Sequence, residues 1–156
     1  MVIIRRATIE DWPRIQEIFR AAGQAAWPHI LPASWLERLE PPDRWRLAIS
    51  DPAQVVLFAR SSGFAVLSAC DEEGVGELNS FYVDPDAWGQ GVGRALLSAS
   101  VSGLHEMGFV EAKLWTAELN YRPRRFYELA GWELEGGRRT RSLGEREFVE
   151  LRYRIS

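Results

Sequence analysis

Apolar positions along this chain repeat in two rhythms: alternation at every second residue in short runs, and spacings of three or four in longer ones. The first marks half-buried strands and the second amphipathic helices. Val2–Arg6 reads as a strand, and Thr8, with the acidic Asp11 three positions on, can cap a helix running to about Ala25. From Trp27 to Pro52 five prolines break the pattern, leaving room for one or two short helices, about 33–39 and 43–49. Gln54–Arg60 and Phe64–Cys70 flank Ser61-Ser62-Gly63 as a hairpin, and a strand over about 75–83 is closed by Asp84-Pro85-Asp86. Val92, Ala95, Leu96, Ala99 and Leu104 then keep a helical period until Gly108 supplies a C-terminal cap. A strand at Val110–Thr116, a helix near Tyr121–Ala130 and strands near 132–136 and 146–155 complete the chain; in the last, Val149, Leu151, Tyr153 and Ile155 alternate with Glu150, Arg152 and Arg154. Arg138-Arg139-Thr140-Arg141 reads as a solvated hairpin loop. This order predicts an α/β (α+β) fold with a sheet of six or seven strands and helices on both faces.

Composition narrows the picture. Residues 1–156 show no repeat, low-complexity stretch or linker, so they are expected to form a single domain. Hydrophobic residues make up 46% and charged residues 26%, ordinary for a globular protein, and no apolar run approaches a membrane span of about 18 residues. The start, MVIIRRATIE, lacks the apolar core of a secretory signal, and Cys70 is the single cysteine, so a reducing, cytoplasmic location is expected. Cys70 itself reads as a small buried hydrophobe. A net charge of −3 provides no field to draw nucleic acid, and one cysteine with two distant histidines, His29 and His105, makes no metal site.

The chemistry concentrates at Gly89, Gly91 and Gly93, which stand between a strand and the start of a helix. Three missing Cβ atoms let the backbone approach a ligand, and the unpaired N–H groups of the first helical turn, at the positive end of the helix dipole, favour an anion there. Spacing excludes the better-known phosphate loops. Five positions after Gly89 stands Arg94 with no Lys-Ser or Lys-Thr, and neither glycine pair has the third Gly or Ala of a dinucleotide fingerprint. Gly91-Val92-Gly93 does resemble the coenzyme A loop of the GNAT N-acetyltransferase superfamily, whose signature is Arg or Gln, two residues, Gly, one residue, then Gly or Ala. Trp88 occupies the Arg or Gln position, a departure that leaves the backbone amides intact. The stretch from Asn120 to Trp132, NYRPRRFYELAGW, is similar to the family's second motif.

The resemblance implies a mixed, mostly antiparallel sheet with acetyl-coenzyme A as co-substrate and no metal. It assigns cofactor contacts to Phe81, Tyr82 and Val83 on a splayed strand, to Trp88, Gly89, Gln90, Gly91, Val92, Gly93 and Arg94 in the loop, and to Asn120 and Tyr127. Arg122, Arg124 and Arg125 oppose the helix dipole; one of them, preferentially Arg125, would face cofactor phosphates, the alternative being solvent, Glu118 or Glu128. Tyr127 would protonate the departing thiolate, and Glu77 would take the proton of the amine, with Asn79 on the same strand face ordering a water. The acceptor would be chosen by 24–46 and 136–148, with Trp27 and His29 as pocket candidates. The expected activity is N-acetylation of a primary amine in a ternary complex. A small-molecule acceptor is preferred to a peptide; a protein acetyltransferase and a non-catalytic acyl-coenzyme A sensor are the alternatives. Relatives of this kind are often homodimers.

Overall fold

A computed structural model describes residues 2–27, 43–143 and 146–156. The expected helix at 33–39 and His29 lie outside the described residues. Among the described residues, strands β1 (Ile4–Arg6), β2 (Val55–Ala59), β3 (Gly63–Ala69), β4 (Val75–Val83), β5 (Glu111–Ala117), β6 (Glu133–Leu143) and β7 (Arg146–Ile155) form one sheet in the order β1-β2-β3-β4-β5-β7-β6. Every neighbouring pair is antiparallel except β4 with β5. The described helices are α1 (Trp12–Ala26), α2 (Arg44–Ser50), α3 (Val92–Glu106) and α4 (Tyr121–Leu129).

Helices cover both faces, as the strand patterns require. On β2 and β3, Val56, Phe58, Phe64 and Val66 point to α1 and α2, where they bury Ile15, Ile18, Phe19 and Trp45. The alternate residues Ala59, Ala65 and Leu67 join the opposite cluster, with Leu96, Leu97 and Leu104 of α3 and Tyr127 of α4. A short 3-10 turn, Ile9–Asp11, with Thr8 at its N-cap precedes α1, so Thr8 caps that turn rather than the long helix: the Thr8 N–H donates to the Asp11 carboxylate at 2.7 Å, and Arg5 bonds both oxygens of that carboxylate at 2.8 and 3.0 Å.

Three readings of the sequence are corrected. Arg138–Arg141 is strand, not loop. Arg138, Arg139, Thr140 and Arg141 pair with Leu151, Glu150, Val149 and Phe148, because the long β7 needs a partner along its outer edge and Glu150 neutralises Arg139 across it at 2.8 Å. The turn joining β2 to β3 sits earlier than expected. Arg60 and Ser61 take φ values of 49° and 55°, and the Ser62 N–H closes the turn on the Ala59 carbonyl at 2.8 Å. Cys70 lies just beyond β3, half-buried, with its thiol 3.2 Å from the Val75 carbonyl.

Candidate active site

The one parallel pairing creates the site. β4 and β5 stay bonded only from Val75↔Glu111 through Glu77↔Lys113, and beyond that point they separate. From Leu78 to Val83 the β4 backbone bonds β3 on one side and presents its other edge to an opening. That opening is a cleft of about 1110 Å³, entered by the glycine loop at one end and by Glu77, Asn79, Arg44 and Glu150 at the other.

A bulge within β4 sets which side chains face it. The register steps from Val66↔Ser80 to Leu67↔Leu78, leaving Asn79 as an extra residue. Alternation is thereby reset: Leu78 and Phe81, which simple period two would put on opposite faces, both pack toward α3 and α4. Glu77 and Asn79 remain together, with the Asn79 amide 3.4 Å from the Glu77 carboxylate. Burial in the cleft wall pushes the Glu77 carboxyl above its usual range, opposed by the Lys113 and Arg139 charges.

At the other end, Asp84 turns the chain out of β4. Its carboxylate accepts from the Asp86 N–H at 3.0 Å and from Arg14 of α1 at 2.7 Å, fixing the exit against the helix. Gly89 and Gly91 take φ values of 78° and 84°, and a Cβ at either would meet nothing within 4 Å, so these glycines serve the backbone conformation rather than packing space. Gly93 differs: its nearest neighbour is the Phe126 ring at 3.4 Å. The first bond of α3 runs from the Ala95 N–H to the Gly91 carbonyl, so the N–H groups of Val92, Gly93 and Arg94 have no intrahelical acceptor, and no side chain caps them. They form a donor cluster beside the cleft, suited to an anion.

Trp88, at the position where the signature carries Arg or Gln, bonds the end of β4 through its indole N–H to the Val83 carbonyl at 3.0 Å. The Arg122 guanidinium lies 3.9 Å from the Trp88 ring centroid. The residue at 88 is thus a platform, and the cation comes from α4. Of the three arginines in that helix's first turn, Arg122 lines the cleft. Arg124 is committed to structure, bonding the Tyr153 hydroxyl at 3.0 Å and the Glu118 carbonyl at 2.7 Å. Arg125, the expected phosphate contact, is exposed and absent from the cleft lining: the face of α4 carrying Arg122, Pro123, Phe126 and Tyr127 turns inward, and position 125 falls outside it. Asn120 stands at the N-cap position, but its side chain makes no capping bond and lines the cleft instead.

Tyr127 lies between these ends. Its ring is buried against Phe81, Phe126, Trp132 and Tyr153. The helix stops just after it, with Gly131 at φ 94° and the Trp132 N–H bonded back to the Tyr127 carbonyl at 3.0 Å, a closure that holds the tyrosine in place. Its hydroxyl makes no hydrogen bond among the described residues, and burial pushes the phenol well above its ordinary pKa. Among the described residues it is a protonated donor without an acceptor.

Among the expected site residues the cleft brings together Glu77, Asn79, Phe81, Tyr82, Val83, Trp88, Gly89, Gly91, Gly93, Arg94, Asn120, Tyr127 and Trp27. Gln90 points away, donating to the Asp86 carbonyl at 3.2 Å, and the Val92 side chain is in the core. Arg44 and Arg139, which also line the cleft, fall within the segments 24–46 and 136–148 expected to choose the acceptor without being singled out there; Trp115 and Glu150 were missed, and the alternation of β7 was a usable signal for Glu150.

The sequence model of the Acetyltransferase (GNAT) family matches residues 12–132. YuaI, an uncharacterized N-acetyltransferase of Bacillus subtilis, is 28% identical over 155 residues, covering 86% of this chain and 90% of that protein. The PaiA N-acetyltransferase of Thermoplasma acidophilum, crystallised with coenzyme A, superposes with a TM-score of 0.78 at 21% identity over 97% of this chain and 98% of that one. YncA of Salmonella typhimurium, a putative acetyltransferase crystallised with acetyl-CoA, gives 0.74 at 22% identity over 100% and 94%.

Proposed function

The chain belongs to the GNAT acetyltransferase family, and on that basis we propose that it moves an acetyl group from acetyl-coenzyme A to a primary amine of a small molecule by direct attack, with Tyr127 as acid and Glu77 as base. The observation that carries this reading is a cleft between β4 and β5, which joins an anion-binding helix end, a phenol unpartnered among the described residues and a carboxyl with a raised pKa.

Coenzyme A fits the residues present. The free N–H groups of Val92, Gly93 and Arg94 suit its pyrophosphate, Arg122 adds a cation beside them, and the edge of β4 beyond Glu77, which β5 does not cover, borders the space for its pantetheine arm. Acetyl-coenzyme A supplies the acetyl carbon and a thiolate leaving group, so that an amide bond forms as the C–S bond breaks. Amines with a pKa near about 10 arrive protonated and cannot attack. Glu77, whose pKa is raised by burial, takes that proton, and the Asn79 amide beside it orients the carboxylate. Desolvation in the same wall disfavours a bare thiolate, and the Tyr127 hydroxyl gives it a proton.

Release of free thiol from acetyl-coenzyme A across a panel of amines, amino acids and peptides tests the reading. The parent should release thiol with a small-molecule amine. Tyr127→Phe should lower kcat about 10²-fold or more, with the KM for acetyl-coenzyme A little changed. Unchanged turnover in that variant would remove Tyr127 from the chemistry. Tight cofactor binding without turnover on any acceptor would instead make the protein an acyl-coenzyme A sensor.

A further inference from the structure

At the acceptor end of the cleft one guanidinium has no carboxylate partner among the described residues. Arg44, the first residue of α2, is partly buried and lies over the rings of Trp45 at 4.4 Å and Phe19 at 5.8 Å. The other cations at this end are matched: Arg139 bonds Glu150 at 2.8 Å, Arg141 lies 3.6 Å from the same carboxylate, and Lys113 bonds Asp71 at 3.0 Å. Even the acid next to it in sequence, Asp43, pairs with Arg46 at 2.8 Å. Among the described residues the one hydrogen bond of the Arg44 side chain is a long contact of 3.5 Å to the Ser80 hydroxyl. Aromatic rings satisfy the faces of a guanidinium but not its fork of N–H donors, so a partly desolvated arginine in a cleft gains most from an anion brought to it.

A polar strip joins this cation to Glu77. The Ser80 hydroxyl donates to the Asn79 side-chain oxygen at 3.4 Å, and the Asn79 amide donates to Glu77 at 3.4 Å. The bulge at Asn79 is what puts Ser80 and Asn79 next to each other along the strip. Three residues of strand cover roughly 10 Å at about 3.3 Å per residue, so the cation and the carboxylate stand at the two ends of a short polar track.

We propose that the acceptor is a compact amino acid, an amine and a carboxylate on the same or neighbouring carbons, and that Arg44 selects it by binding the carboxylate while Glu77 faces the ammonium group. Each end would make a charge-assisted hydrogen bond of about 2.8 Å to such a molecule. A polyamine would bring a second positive charge to Arg44 and is rejected by repulsion. The assignment rests on the acetyl-transfer reading of the cleft and adds the acceptor class to it.

Matched pairs test it: alanine against ethylamine, and phenylalanine against phenethylamine, with thiol release measured for the parent, Arg44→Gln and Arg44→Lys. The parent should prefer each amino acid over its decarboxylated partner by about tenfold or more in kcat/KM. That ratio should fall toward unity in Arg44→Gln and recover in part in Arg44→Lys, which keeps the charge. A parent without the preference, or an Arg44→Gln variant that retains it, overturns the proposal. Calorimetric titration of the same compounds into protein saturated with coenzyme A separates this from failure of the catalytic reading. Amino acids that bind the parent but not Arg44→Gln, with no thiol released, would uphold the role of Arg44 and discard acetyl transfer. Thiol release with amines, combined with no binding preference for the carboxylate, would do the reverse.

Discussion

Glu77 is held in a place that disfavours its charge. Burial raises its pKa, the amide of Asn79 contacts it only at 3.4 Å, and the nearest strand neighbour, Lys113, spends its ammonium on Asp71. A carboxyl whose folded pKa exceeds its unfolded value binds more protons in the folded state, so its contribution to stability is full below the unfolded pKa of about 4.3 and is lost as pH rises through the folded value. Glu77→Gln should therefore melt higher than the parent near neutral pH, and the gap should close as pH falls toward about 4. The same substitution should erase the acid limb of the kcat/KM profile and lower activity about 10²-fold. Thermal melts across pH beside a pH–rate profile check both halves. A variant with the parent's melting temperature at every pH would contradict the assignment. A stabilised but inactive variant is the pattern expected of a residue kept for chemistry.

The loop between β4 and α3 shows how an element divides its labour among similar residues. Gly89 and Gly91 are needed for positive φ with open space around them, whereas Gly93 is helical and meets Phe126 at 3.4 Å. Gly91→Ala should cost about 1–2 kcal/mol through backbone strain alone and weaken coenzyme A binding, because the N–H groups it aims would shift. Gly93→Ala, where helix propensity offsets a slightly tight contact, should stay within about 1 kcal/mol of the parent. Denaturant melts of the two variants, with and without coenzyme A, separate the effects; equal destabilisation would mean that packing rather than dihedral angle governs the loop. β4 illustrates the complementary point: a single extra residue, Asn79, changes which side chains meet the cleft without disturbing the strand's hydrogen bonds to β3 on either side.

On the scale of the molecule, β2 and β3 are shared by both hydrophobic clusters, Phe64 and Val66 serving one face and Ala65 and Leu67 the other. Neither cluster can lose its strands without exposing the other, which supports unfolding as one domain. Phe64→Ala and Leu96→Ala, both of fully buried residues on opposite faces, should each cost about 2–5 kcal/mol and leave a single transition when fluorescence and circular dichroism are followed together. Separate transitions would divide the chain in two. The local rhythm of the sequence was enough to find the strands, the four described helices and the glycine loop, because alternation, helical period and capping residues act between positions a few residues apart. The expected roles of Tyr127 and Glu77 came instead from the family resemblance carried by Gly91-Val92-Gly93 and the Asn120–Trp132 motif. Contacts across the sheet decided the remainder. Arg138–Arg141 became strand because β7 offered a partner edge and Glu150 a countercharge; Arg122 rather than Arg125 lines the cleft because of the face that α4 packs inward; β4 and β5 parted after Glu77; and Arg44 came to the cleft without a carboxylate partner among the described residues. Each of these depends on which distant residues share a surface, and pairing register and countercharge are properties of the assembled sheet, not of any stretch of chain read alone.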